Sequence, residues 1–223
     1  MKRFLFMALF CMSAVLLFAQ PVDVESLRPQ INQYLSLAAA DGIEKYGFRR
    51  SDDLSKIQLG ELIQTVEMED GFYDDENESD SYCMQDVEEY RIPLMTDDTI
   101  RAFAIVVPQN GQWKVVDFGA SGFAQRVDGC YRSCGVKKNH KVKLLRDYNS
   151  FTDYIGLSED DYVVVESMET YKSKADKSNG HKLQHYSKNE VKHELHKQHK
   201  ANQLYDNGNK GNNNSKNNGH GKN

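Results

Sequence analysis

Residues 99–107 and 112–118 are two runs of branched and aromatic side chains joined by Pro108-Gln109-Asn110-Gly111, and they limit the fold more than any other feature. Asn-Gly takes the positive backbone angles of a tight turn at little cost. The side chains on either side suit a pleated surface, so the segment predicts an antiparallel hairpin. Residues 89–95, linked through Asp97-Asp98, extend it to a three-stranded meander. A Rossmann-type parallel sheet needs helical crossovers, which links this short exclude.

Before the meander, Leu27, Ile31, Tyr34, Leu35 and Ala38 recur at three- and four-residue steps. They predict an amphipathic helix capped by Ser26, with Pro29 in its first turn and Gly42 at its stop. Further strands are expected at 57–59, 62–68, 141–147 and 162–166, and short helices at 121–127, capped by Ser121, and at 150–157. The expected class is α+β: an N-terminal helix packed on an antiparallel meander sheet, with a disordered C-terminal tail. The expected division is a signal peptide at 1–19, a single domain at 20–171 and a tail at 172–223.

Lys2 and Arg3 precede an apolar run of about 15 residues and then Ala19, Gln20 and Pro21, the order of a secretory signal. The run is shorter than the roughly 20 residues of a membrane-spanning helix. The expected product is therefore exported, periplasmic or extracellular, and not an integral membrane protein.

Charge separates the remainder into two parts. Residues 20–171 carry 15 Lys and Arg against 29 Asp and Glu, a net of −14, whereas residues 172–223 carry 11 Lys against 4 acids, a net of +7. An acidic core argues against nucleic acid as its ligand. The tail is rich in His, Asn, Lys and Gly. A helix is expected near 187–205, with disorder elsewhere, and Val191 and Leu195 are two apolar residues, too few to dock that helix firmly. On this reading a chain of residues 20–171 folds without the tail.

Histidines at three- and four-residue steps, His181, His185, His193, His196 and His199, form a candidate metal set of the kind that takes Zn²⁺ or Ni²⁺. His193-Glu194-Leu195-His196 is one residue short of a metalloprotease helix. In the acidic stretch 70–80, Asp75, Asn77 and Ser79 alternate like the start of a calcium loop, but Asp80 and Asp86 stand where glycine and a bidentate glutamate belong. A solvated acidic loop is the expectation.

Beyond the signal the cysteines are Cys83, Cys130 and Cys134. In an oxidising compartment they predict one disulfide and one leftover thiol: Cys130 and Cys134 bridge each other locally or, preferred because it closes the longer loop, one of them pairs with Cys83. Gly119-Ala120-Ser121-Gly122 resembles a nucleophile elbow but lacks its last glycine. The functional expectation is thus an exported, non-enzymatic binding or regulatory domain whose partner is a protein, a polymer or the cell envelope. A small hydrolase using Ser121 or a cysteine with His140, and a structural envelope-attachment protein, are the alternatives.

Overall fold

The computed structural model describes residues 22–74, 83–137, 140–166 and 183–215, the stretch 205–215 by its backbone alone. The signal-peptide reading, His181 and the calcium-loop positions Asp75, Asn77, Ser79 and Asp80 lie outside the described residues. The chain forms two compact units, one from the chain up to Gln64 with Glu88–Lys141, the other from Thr65–Val87 with Val142 onward. Strands β2 (Ile63–Met68) and β3 (Met84–Thr96) run from one unit into the other. The class is α+β, with an N-terminal helix on a mostly antiparallel sheet.

In the first unit, β3, β4 (Thr99–Gln109) and β5 (Gln112–Gly119) form the expected meander, and the short β1 (Gln58–Leu59) pairs with β3. Both turns are tight two-residue connections. Asp97 and Asp98 have φ of 47° and 55°, and Asn110 and Gly111 have φ of 55° and 73°. These left-handed pairs match the twist of the strands they join.

Helix α1 (Arg28–Asp41) lays Ile31, Leu35 and Ala38 against Ile92, Leu94, Ala102, Ala104 and Val106, so the periodicity read from the sequence is the buried face. Its entry differs from the expectation. A 3-10 turn, Val24–Leu27, precedes it, and Asp23 rather than Ser26 is the cap, accepting from the Glu25 amide at 3.1 Å while Ser26 Oγ donates to the Asp23 carbonyl. Pro29 fits the first helical turn because its missing N–H would have no partner there. Gln30 bonds the edge strand β5 with both ends of its amide, Oε1 accepting from Val115 N at 3.0 Å and Nε2 donating to Trp113 O at 3.3 Å.

The opposite face of β4 is covered by α2 (Ser121–Ser133), where Phe123 meets Phe103 at 5.7 Å. The helix runs beyond Val127 because Cys130 and Tyr131 continue its buried stripe, and its cap is Ala120, with φ of 57°, not Ser121. Asp128, buried on α2, accepts the Ile100 amide at 3.0 Å and pairs with Arg132.

Two glycines with positive φ in this unit make opposite demands. At Gly111 an added Cβ would meet nothing within 4 Å, so Gly111→Ala is expected to cost only the backbone term, about 1 kcal/mol. At Gly47 a Cβ would stand 2.5 Å from both the Arg101 carbonyl oxygen and Ser121 Cβ. Gly47→Ala is therefore expected to cost more, on the order of 3 kcal/mol, from strain plus overpacking. Urea unfolding of the two variants checks the order.

In the second unit, β6 (Lys143–Asp147), β7 (Thr152–Ser158), β8 (Asp161–Glu166) and β9 (His185–Tyr186) pair successively as antiparallel neighbours. The segment expected as a helix at 150–157 is strand β7. Residues 152–156 are all buried, so the alternation that marks a half-exposed strand is missing.

Helix α3 (Lys188–Ser215) belongs to this unit, and the expectation that two apolar residues would not dock it fails. Val191 and Leu195 are both fully buried among Val66, Met68, Phe72, Leu145, Tyr154 and Tyr162. Aromatic contacts make up for the short apolar stripe. His196, 2% exposed, lies 4.1 Å from the Phe72 ring, and His199 lies 4.4 Å from Tyr73. Ser187 and Glu190 close a reciprocal capping box at its start, Ser187 N donating to Glu190 Oε2 at 2.7 Å and Glu190 N to Ser187 Oγ at 3.3 Å.

Candidate functional site

The second unit contains a cavity of about 460 Å³, within the size range of small-ligand sites. Three separate stretches of chain build it. The end of β2 and the following turn bring Glu67, Glu69, Asp70, Phe72, Tyr73 and Asp74. The end of β6 and its connection to β7 bring Arg146, Asp147, Tyr148 and Asn149, and α3 brings His199 and Gln203. Gly71, with φ of 83°, folds the first turn back on itself, and the Phe72 amide closes onto the Glu69 carbonyl at 3.2 Å.

Five carboxylates therefore face a space that holds one arginine and one histidine. The arginine is engaged already: Arg146 Nε donates to Asp153 Oδ1 at 3.2 Å, and its guanidinium lies 5.0 Å from the centre of the Tyr148 ring. Asp147 is buried, and its Oδ2 accepts the Ser150 amide at 2.6 Å, which fixes the carboxylate at the cavity wall.

Burial first, and then the nearby Asp147 charge, hold the Tyr73 phenol well above its ordinary pKa. The ring is thus a neutral O–H donor across the physiological range. Its hydroxyl lies close enough to Asp147 and Ser150 for both to act on its proton, yet completes no hydrogen bond of ordinary geometry. The buried hydroxyls of Ser150 and Tyr154 are likewise without such a bond.

The histidines are dispersed. His185 on β9 bonds Asp161 through Nδ1 at 2.7 Å, His193 is exposed, His196 is buried against Phe72, and His199 lines the cavity. Among the described residues no three His, Cys, Asp or Glu side chains converge as ligands for one metal ion. The carboxylates of the cavity are spread around its wall rather than gathered at a point. Such a wall, with Tyr73 and Tyr148 among the carboxylates, suits an organic cation whose N–H groups diverge.

Among the described residues no disulfide joins Cys130 to Cys134 in the first unit, and Cys83, in the second unit, is not bridged, contrary to the sequence expectation. Cys130 lies on α2 and Cys134 caps its C-terminal end, Cys134 N donating to Cys130 O at 2.9 Å as in a helical turn. Burial pushes the Cys130 thiol up to about 11, so it is protonated at neutral pH and a weak nucleophile. Ser121 opens α2 with its Cβ facing Gly47, and His140 is exposed in the bend before β6.

The sequence pointed to the acidic stretch after β2 only as a solvated loop. It carried no signal for the contribution of Arg146, Asp147 and Tyr148. In comparisons with known proteins, no family model, no curated protein and no solved structure matches this chain.

Proposed function

We propose that the protein is an exported, non-enzymatic binding module whose second unit takes a cationic organic group, an amine or a guanidinium. The observation that carries this reading is the wall of the cavity, which Glu67, Glu69, Asp70, Asp74 and Asp147 share with Tyr73 and Tyr148. Carboxylates supply charge-assisted hydrogen bonds, and ring faces attract a cation by their quadrupole. The negative charge of the core draws such a ligand in from solution and repels anionic polymers and lipid headgroups. Export rests on the charged, apolar and small-residue order of the first 21 residues.

Calorimetry with N-acetyl-arginine amide and its neutral isostere N-acetyl-citrulline amide tests the reading on the chain without its signal. The arginine probe is expected to bind at least about tenfold more tightly, with affinity falling as salt rises. Asp74→Asn and Glu69→Gln are each expected to weaken it by about three- to tenfold, in line with single partly exposed charge pairs. Equal binding of the two probes, or no binding of either, overturns the assignment.

A further inference from the structure

The connection from β6 to β7 closes on the pair Asp147 and Thr152, leaving Tyr148, Asn149, Ser150 and Phe151 as a four-residue loop beside the cavity. Both aromatic residues of this loop point outward. Tyr148 and Phe151 are each 60% exposed, and Leu204, next to the cavity residue Gln203 on α3, is 75% exposed. The helix is tied to the loop at this place, Asn202 Nδ2 donating to the carbonyls of Asn149 and Ser150 at 3.4 Å.

Phe151 also has φ of 55°, a backbone region in which a bulky side chain is unfavourable and glycine or asparagine is at home. Its ring contributes little to the core, and its backbone would be more relaxed without it. A large apolar side chain held in solvent at a cost to the backbone, on the rim of a cavity lined with carboxylates, is matched by a ligand that is basic at one point and apolar beside it.

We infer that the cationic group entering the cavity is the side chain of a lysine or arginine in a polypeptide partner, and that a neighbouring apolar residue of that segment rests on Phe151 and Leu204. This rests on the cation-binding reading of the cavity. An isolated small amine would occupy the carboxylate wall and leave the apolar rim uncovered, whereas an extended segment spans roughly 3.3 Å per residue and reaches from one to the other. Charge complementarity selects a basic segment, and the exposed rings select an apolar neighbour for it.

The test uses the chain without its signal and three acetylated, amidated peptides that differ at two positions: Arg-Leu, Arg-Ser and citrulline-Leu. Arg-Leu is expected to bind about tenfold more tightly than Arg-Ser, the gain expected from covering one aliphatic side chain. Phe151→Asn keeps a residue suited to the left-handed backbone, so its unfolding midpoint should not fall. It is expected to abolish the difference between Arg-Leu and Arg-Ser while leaving N-acetyl-arginine amide binding unchanged. If Arg-Leu and Arg-Ser bind equally, or if Phe151→Asn retains the difference, the partner inference fails and the cavity reading stands. If no arginine probe binds, the cavity reading itself fails. Self-association that Phe151→Asn dissolves, measured by sedimentation without peptide, would assign the rim to a second copy of the chain and overturn the inference.

Discussion

A chain ending at Tyr171 is expected to lose the cooperative fold of the second unit. Truncation there removes α3 and with it Val191 and Leu195, both fully buried between Phe72, Leu145 and Tyr154. Burying a leucine that is then cut to alanine is worth about 2–5 kcal/mol, and the loss here includes a valine and the ring contacts of His196 and His199 as well. The sum is comparable to the whole stability of a small domain, on the order of 5–15 kcal/mol. Hydrogen exchange of the β6, β7 and β8 amides is the direct readout, with protection expected to fall throughout. In the full chain Leu195→Ala alone should lower stability by about 2–5 kcal/mol. Unchanged exchange in the truncated chain would mean that the helix contributes nothing to the unit.

Raising the pH from 8 to 11 is expected to destabilise both units. Cys130 is pushed up to about 11 by burial and, secondarily, by Cys134, while burial raises the phenols of Tyr73, Tyr131, Tyr154 and Tyr162. For an acid whose folded pKa exceeds its unfolded one, the folded chain keeps its proton where the unfolded chain releases it. The associated stability is complete below the unfolded pKa and is lost as pH rises through the folded one. Cys130 therefore contributes up to about 3 kcal/mol that disappears between pH 9 and 11, and Tyr73, Tyr131 and Tyr154 each add a loss of about 1.4 kcal/mol per pH unit above 10, with Tyr162 acting in the same direction. Urea midpoints at pH 8, 9.5 and 11 should fall progressively. Cys130→Ala should remove the part of the slope that begins near pH 9, leaving the part that begins near pH 10. A flat profile to pH 11 would contradict the burial of these groups.

Several features of the fold are written locally. The Asn110-Gly111 hairpin and the Asp97-Asp98 turn follow from side chains that tolerate positive φ between runs of branched residues, and these signals are complete within about ten residues of chain. The buried face of α1 is legible for the same reason: Ile31, Leu35 and Ala38 repeat at the helical period, and no distant partner is needed to see it. Its cap was less legible, because Asp23 and Ser26 both have capping side chains and the choice depended on the 3-10 turn before the helix.

Where burial on two sides removes periodicity, the local signal is lost. Strand β7 has Asp153, Tyr154, Ile155 and Gly156 covered on both faces, so its pattern cannot be told from that of a buried helix until β6 and β8 are in place. The docking of α3 was hidden differently. Its amphipathic stripe is short, and part of its packing comes from imidazole rings that composition counts as polar. Only with Phe72 and Tyr73 in position does the packing role of His196 and His199 become visible.

The cavity has no local signature at all. Glu69 and Tyr73, Arg146 to Tyr148, and His199 come from segments more than fifty residues apart, and their shared space exists because strand pairing and helix docking bring those segments together. Sequence alone set the compositional facts, a −14 core and a +7 tail, and the short-range turns and helix faces that depend on neighbours in the chain. Which carboxylates share a wall, which histidines are buried, and which aromatic rings remain in solvent were decided by contacts between remote segments, for which charge and periodicity along the chain carry no information.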